Sequence, residues 1–251
     1  MHEDDKAPFT EHLEELRKRL ITCLIAVIVG FLVTYAFKET LFEILILPLK
    51  AAMETGDHMV YTAIAEAFFT YLKVALLAGI MLAAPVLFYQ FWMFIAPGLY
   101  TKERKLLLPV VCLSSFFFVG GALFGYFIVF PLGFKFFLSF ATEAIRPMPS
   151  MKEYLSFSAK LLLAFGLAFE LPLVLTFLAR LGIVSVDFLK KNRKYAVVLF
   201  FAGSALLTPP DVVSQVMMAI PLMLLYELSI WGAKIFGKKK SEEEDEEVIE
   251  P

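Results

Sequence analysis

The residues of this chain with the strongest capacity for chemistry are carboxylates, and one of them, Glu170, lies inside a long apolar run. An ionisable side chain in such a run is costly to remove from water and is seldom retained without a function. Pro172 follows two residues later; it lacks a backbone N–H and frees a carbonyl about one turn earlier in a helix. The pattern predicts a polar pocket beside a kinked helix. The alternative is a glutamate that another helix satisfies, with no ligand.

More acidic residues precede the first apolar run, in a segment that predicts an amphipathic helix because three leucines recur at helical spacing. These leucines are Leu13, Leu16 and Leu20. Glu14 with Lys18, and Glu15 with Arg19, stand four residues apart and can form ion pairs along the helix, which would explain them without a ligand. Glu11 shares a face with Glu15, and these two like charges offer an acidic patch to a basic partner.

Glu103 is a third acidic residue of interest, because it is the sole acid among Lys102, Arg104 and Lys105 in a short loop. The aromatic residues before this loop are ordinary anchors of a span at the membrane interface and leave Glu103 unexplained. A local ion pair with a neighbouring base would contribute less than about 1 kcal/mol if it is exposed. Glu103 therefore remains a candidate binding group.

Catalytic and metal-binding patterns are missing from the sequence. It contains no glycine-rich phosphate loop, and its three histidines are scattered along the chain. Cys23 and Cys112 lie in separate apolar runs without the spacing of a metal site or a redox pair. We therefore expect no enzyme, no cofactor and no metal ion, and nothing in the sequence predicts binding to nucleic acid.

The elements that must position these carboxylates are membrane helices. Hydrophobic residues make up 59% of the 251 and charged residues 19%, and the hydrophobic ones gather in long runs. The runs predict six transmembrane helices, at about 20–37, 67–95, 106–130, 154–179, 195–207 and 212–231. The outer loops, about 38–66 and 131–153, are partly apolar, and we expect short helices there. The predicted fold class is an all-α polytopic membrane protein with a concave pocket in its cytoplasmic half.

The fifth run is shorter than an ordinary span. Its thirteen residues give roughly 20 Å of helix against a hydrocarbon core of about 30 Å. One interpretation is a re-entrant hairpin formed with the sixth run. The other is a pair of short but complete crossings that thins the bilayer locally, and the basic residues on both flanks favour it.

Positive charge predicts the orientation of the chain. Sixteen lysines and arginines fall in the N-terminal segment, the 96–105 and 180–194 loops and the tail, against five in the opposite loops. Both termini are therefore predicted to be cytoplasmic. We expect residues 1–236 to form a single membrane domain and residues 237–251 to be a disordered, charged tail.

A series of short motifs extends over about 220 residues. The motifs are the 11–20 segment, Ala84-Pro85, Tyr89-Gln90, Trp92, 94–97, Tyr100, Glu103, Phe165-Gly166, Phe169-Glu170, Pro172, 207–211, Ser214-Gln215, 219–221 and Tyr226-Glu227. In their order and spacing they resemble the TatC family of twin-arginine protein translocases. No single motif is decisive, so the resemblance depends on the whole set.

This resemblance implies a receptor for folded proteins whose signal peptides carry two consecutive arginines. Family members work in the bacterial inner membrane, in multiple copies, with the single-span proteins TatB and TatA, and the proton-motive force drives transport. The recognition surface of the family carries over to Glu15, Phe94 and Glu103 of this chain. Glu14 is a weaker neighbour, and the doubled acid Glu14-Glu15 leaves open which of the two meets an arginine.

The resemblance also assigns roles near the outer surface. Partner helices of the family would dock on the fifth and sixth spans, with Thr208 and Gln215 as polar contacts. Pro48 and Asp211 match structural positions, and Asp211 is predicted to be the N-cap of the sixth span.

A different class of function, a secondary transporter for a small ion or solute, would use Glu170 together with Lys73 and Lys160 as its intramembrane charges. Such transporters usually contain repeated halves, and this sequence shows no such repeat. The two lysines also lie within about two turns of the outer ends of their spans and can reach the interface. We therefore prefer the receptor.

Overall fold

The computed structural model describes residues 9–53, 58–61, 63–95, 107–142, 147–208 and 211–237. For residues 9–12 and 107 it describes the backbone only. Within these ranges the chain is helical and forms no strand. The helices are α1 (Phe9–Tyr35), α2 (Lys38–Lys50), α3 (Glu66–Ile95), α4 (Leu107–Phe124), α5 (Phe130–Leu138), α6 (Met151–Phe169), α7 (Leu171–Arg180), α8 (Val186–Lys191), α9 (Arg193–Leu207) and α10 (Val212–Phe236). The chain divides into two compact units, and the division falls between Gly166 and Leu167.

Several helical segments are long and apolar enough to cross a membrane. Among the described residues four qualify: Glu66–Ile95, Leu108–Leu138, Met151–Arg180 and Val212–Phe236. A bent pair, Leu13–Tyr35 with Lys38–Lys50 at 87°, makes a fifth if it is counted as one span. The all-helical, membrane-type fold predicted from the sequence is therefore confirmed.

Helices α1 and α3 of the first unit pack so closely that their backbones touch. A Cβ atom added to Gly79 would lie 2.6 Å from the backbone nitrogen of Phe31, and one added to Gly30 would lie 2.5 Å from the carbonyl oxygen of Gly79. The hydroxyl of Thr34 donates to the carbonyl of Ala75 at 2.7 Å. These pairings place Gly30 level with Gly79 and Thr34 level with Ala75, so the two helices are antiparallel.

The third predicted span is extended beyond residue 130 without a break in helical structure. A π-helical segment, Gly125–Val129, joins α4 to α5, and the N–H of Phe130 donates to the carbonyl of Gly125. Pro131 then lies in the first turn of α5, where its missing N–H is tolerated. The helix consequently continues to Leu138.

A buried carboxylate of the first unit ties the start of α3 to the start of α6. Glu66 is 7% exposed and accepts hydrogen bonds from the Ser150 hydroxyl and the Lys152 N–H, both at 3.0 Å, and from the Ala63 N–H at 3.3 Å. Tyr154 donates to the carbonyl of Leu45 at 2.6 Å and thereby fixes α2 to α6. These hydrogen bonds hold α2, α3 and α6 together and also satisfy buried polar groups.

The helix α2 is a short helix in the 38–66 segment, where the sequence predicts one. It contains Pro48 in its interior, and this proline is buried together with Phe42, Leu45, Ile46 and Leu49. Burial in this apolar face is consistent with a packing role for Pro48.

In the second unit, α10 packs against α7 and α9. Gly232 of α10 faces the Thr176 side chain of α7, which an added Cβ would overlap. The amide of Gln215 donates to the carbonyl of Phe201 at 2.9 Å, and Arg193 pairs with Glu227 at 2.7 Å. The Arg193 contact lies at the start of α9 and the Phe201 contact just past its middle. Their partners follow the opposite order along α10, so the two helices are antiparallel neighbours over at least 193–201.

Candidate functional site

A charged network connects α1 to α3 near the N-terminal end of α1. Arg19 donates through Nε to Oε1 of Glu15 at 3.0 Å, and its Nη2 also donates to that oxygen. The third guanidinium nitrogen, Nη1, donates to the side-chain oxygen of Gln90 at 3.2 Å. Arg19 therefore holds Glu15 with one edge of its guanidinium and α3 with the other.

This network sets the level of Glu15 relative to Phe94. Glu15 lies one turn before Arg19 on α1, and Phe94 lies one turn beyond Gln90 on α3. Because the helices are antiparallel, both steps lead toward the same end of the helix pair. Glu15 and Phe94 consequently lie at about the same level, and Phe94 is half-buried.

The end of α3 is anchored on its other side as well. Trp92 is 2% exposed, and its indole N–H donates to the Ser114 hydroxyl of α4 at 2.9 Å. The indole N–H and the hydroxyl are both buried, so each satisfies the other. Phe94 therefore extends from a helix end whose direction is fixed by α1 and α4.

Glu14 differs from Glu15 in its surroundings. Its carboxylate pairs with Lys18 at 2.9 Å, and both side chains are largely exposed, 63% for Glu14 and 74% for Lys18. The side chain of Glu15 is 33% exposed and that of its partner Arg19 only 18%. Both ion pairs predicted from the i,i+4 spacing are confirmed, but only the second is attached to another helix.

Two predicted acidic groups fall outside the part of the chain that the structure describes. Glu103 and the loop that contains it are among these residues, and so is the side chain of Glu11. The predicted meeting of Glu15 with Glu103 therefore stays a prediction.

Glu170 occupies the single non-helical position between α6 and α7 and is 6% exposed. Its N–H donates to the carbonyl of Leu167 at 3.1 Å, and its own carbonyl accepts from the Val174 N–H at 2.9 Å. Pro172 lies in the first turn of α7, where no N–H is required. A local interruption next to the buried carboxylate is thus present, as the sequence predicts from Pro172.

The two predicted partner-contact residues lie near the end of α9 and the start of α10. Thr208 ends α9, and its hydroxyl donates to the carbonyl of Ser204 at 2.9 Å. Gln215 donates to Phe201 as described above. Asp211 is the N-cap of α10, with its carboxylate accepting from the Ser214 N–H at 2.7 Å, which is the capping geometry that the sequence predicts.

Comparison with known proteins identifies the family. The family model described as Sec-independent protein translocase protein (TatC) matches residues 11–221, most of the chain. The chain belongs to the TatC family.

Individual TatC proteins are similar over nearly the whole chain. TatC from Desulforapulum autotrophicum is 66% identical over 244 residues, which are 97% of this chain and 90% of that protein. TatC from Escherichia coli (strain K12) is 41% identical over 245 residues, 97% of this chain and 95% of that protein. A crystal structure of a twin-arginine translocase receptor, TatC, is 41% identical with a TM-score of 0.82, covering 90% of this chain and 99% of that one. This TatC-family chain is therefore a multi-pass membrane protein and a translocase subunit.

Sequence reasoning missed how Glu15 is held in this TatC-family chain. It recognised Arg19 as a partner of Glu15 and Gln90 as part of a motif, but it did not connect them. They are 71 residues apart, and no local spacing reports a contact across two helices. The buried Glu66 was missed for the same reason, since its partners Ser150 and Lys152 lie 84 and 86 residues further along the chain.

Proposed function

We propose that this chain is the receptor subunit that binds the twin-arginine signal peptides of folded cargo proteins. Membership of the TatC family and the similarity to a crystallised twin-arginine translocase receptor support this function. The observation that carries the site is the Glu15 carboxylate, oriented by Arg19 at the level of Phe94.

The hydrogen bonds of Glu15 leave it able to bind a further guanidinium. Both bonds from Arg19 end on Oε1, and among the described residues none donates to Oε2. A guanidinium presents its N–H groups as a rigid fork suited to a carboxylate, whereas an ammonium is a point charge. An incoming arginine bonds to Oε2 without displacing Arg19, and Arg19 fixes the direction in which that oxygen points.

The second arginine of the signal requires a second carboxylate, and Glu103 fills this role in the proposal. Phe94, at about the level of Glu15, provides apolar surface for the side-chain stems or for the hydrophobic part of the signal. Glu15 rather than Glu14 is the arginine ligand, because Arg19 links Glu15 to Gln90 of α3, whereas the ion pair of Glu14 with Lys18 is largely exposed to solvent.

The proposal includes the complete topology: six spans, both termini in the cytoplasm, in the bacterial inner membrane. The short α9 has 15 residues, or roughly 22 Å of helix, less than the core of about 30 Å. Arg193 with Glu227 and Phe201 with Gln215 join it to α10 as an antiparallel neighbour. The basic residues that flank the pair in the sequence support two complete crossings rather than a re-entrant hairpin. Residues 1–236 form the membrane domain in this proposal, and 237–251 form the cytoplasmic tail.

Partner proteins complete the assembly. We assign the docking of the single-span partners TatB and TatA to the α9–α10 pair, where the polar side chains of Thr208 and Gln215 lie at the turn between the helices. The receptor complex contains multiple copies of the chain, and the proton-motive force drives transport. The buried Glu170 borders a polar, concave pocket in the cytoplasmic half of the membrane domain.

Binding of a labelled twin-arginine signal peptide to the purified protein in lipid nanodiscs tests this function. Replacing Glu15 or Glu103 by Gln keeps the shape and removes the charge, and each change should weaken binding by about tenfold or more. Glu14→Gln is the matched control and should bind as the parent does, while a twin-lysine peptide should bind the parent weakly. Unchanged affinity in Glu15→Gln, or an equal loss in Glu14→Gln, would contradict the assigned site.

A further inference from the structure

One intramembrane charge, Lys73, has no part in the proposed receptor site. It is exposed on α3, and none of the ion pairs among the described residues includes it. Its side chain lines an open groove of about 350 Å³ between α1 and α3. The other lining residues are apolar, and Leu24, Ile28, Phe69 and Leu76 among them are 43–59% exposed. The groove therefore combines one cation with a hydrocarbon-like surface.

The depth of Lys73 puts its ammonium within reach of lipid headgroups. Helix α3 has 30 residues, or roughly 45 Å, which exceeds a hydrocarbon core of about 30 Å by about 7 Å at each end if the helix is centred. Lys73 lies seven residues, or roughly 10 Å, from the Glu66 end. Its Cα is thus within about one turn of the hydrocarbon boundary, and its side chain extends to the interface.

The charged and apolar parts of the groove are arranged like those of a lipid molecule, with the charge near the membrane surface and the apolar part deeper. Thr34 is level with Ala75, so Lys73 lies on the Glu66 side of that level. Leu24 lies ten residues before Thr34, roughly 15 Å along α1 and toward the middle of the membrane. A molecule with its charged group at Lys73 would therefore extend its tail along α1 toward Leu24.

We propose that Lys73 and this groove bind a phospholipid with an anionic headgroup, whose phosphate meets the ammonium and whose acyl chain lies along α1. Charge complementarity favours a headgroup with a net negative charge over a zwitterionic one, which brings its own ammonium to compete with Lys73. The volume of the groove, about 350 Å³, is small for a transmembrane helix that is about 10 Å across, and it therefore favours an acyl chain. This inference is independent of the proposed receptor function.

Native mass spectrometry of the purified full-length protein tests the proposal. The protein is mixed with equal amounts of phosphatidylglycerol and phosphatidylethanolamine that carry identical acyl chains, and the retained lipids are counted. The parent should retain phosphatidylglycerol in preference. Lys73→Gln should lower that retention about fivefold, the effect of one lysine at a membrane surface, and Lys73→Arg should restore it.

Lys160→Gln provides the matched control, because Lys160 is an exposed lysine nine residues into α6 and lies outside this groove. It should retain both lipids as the parent does. Equal retention of the two lipids by the parent, an equal loss in both Gln variants, or undiminished phosphatidylglycerol in Lys73→Gln would each overturn the proposal. Lys73→Gln is also compared with the parent in cross-linking to a partner helix that carries acidic residues. If Lys73→Gln kept its lipid but lost this cross-link, the proposal would be overturned and the groove would be assigned to that helix.

Discussion

Replacing Gly79 by Ala tests the backbone contact between α1 and α3, on which the position of Glu15 depends. The new methyl group would lie 2.6 Å from the nitrogen of Phe31, 2.8 Å from its Cα and 2.9 Å from the carbonyl carbon of Gly30. Ordinary carbon contacts are about 3.5–4.0 Å, and all three atoms belong to the backbone. Helix α1 must therefore move away by roughly 1 Å.

The cost of this movement can be estimated from the contacts it disturbs. Overpacking of this kind costs about 1–3 kcal/mol. The hydrogen bond from Thr34 to Ala75, now 2.7 Å, would be stretched beyond bonding distance at a further cost of about 1 kcal/mol. The higher helix propensity of alanine compared with glycine offsets up to about 1 kcal/mol of this loss. The net loss is about 2 kcal/mol, which lowers the unfolding temperature by roughly 4–8 °C in a chain of this size.

Thermal unfolding of the purified variants, followed by tryptophan fluorescence, measures this loss. Gly120→Ala is the matched control, because a Cβ added there meets no atom within 4 Å. It should unfold at the parental temperature or a few degrees above it. If Gly79→Ala were as stable as Gly120→Ala, the close packing of α1 on α3 and the levels inferred from it would be refuted.

Substitutions at three further positions have defined expectations. Glu66→Gln removes the charge that accepts bonds from Ser150 and from two backbone N–H groups, and should lower stability by about 1–3 kcal/mol in the same unfolding assay. Asp211→Ala removes the cap of α10 and should cost about 0.5–2 kcal/mol, whereas Asp211→Asn should restore most of it. Glu170→Gln keeps the shape of the buried side chain, and it should reduce export of a twin-arginine reporter in cells. Parental export in this variant would make the carboxylate merely structural.

Local spacing was sufficient to predict what lies within one helix. The pairs Glu14 with Lys18 and Glu15 with Arg19, and the cap formed by Asp211, follow from side-chain reach along a turn. The helical, membrane-type fold follows from the lengths of the apolar runs, since only a helix satisfies its own backbone in lipid.

Contacts between helices could not be predicted in this way. Nothing near Gln90 indicates that it receives a bond from Arg19, because the meeting depends on the antiparallel packing of α1 on α3. The third span was predicted to end at residue 130, directly before Pro131, but the π-helical segment there shifts the hydrogen-bond register and lets the helix continue. Whether a proline ends a helix or is tolerated in a first turn depends on the backbone hydrogen bonds of the turn before it.

A double-mutant cycle on signal-peptide affinity tests the central claim most directly, namely that Glu15 and Glu103 each receive one arginine of the signal. The affinities of parent, Glu15→Gln and Glu103→Gln are measured for the twin-arginine peptide and for two peptides in which one or the other arginine is replaced by Gln. Each glutamate should couple to a different arginine by about 1.5 kcal/mol or more. Additive effects within about 0.5 kcal/mol for every pair would contradict direct contact between these carboxylates and the twin arginines.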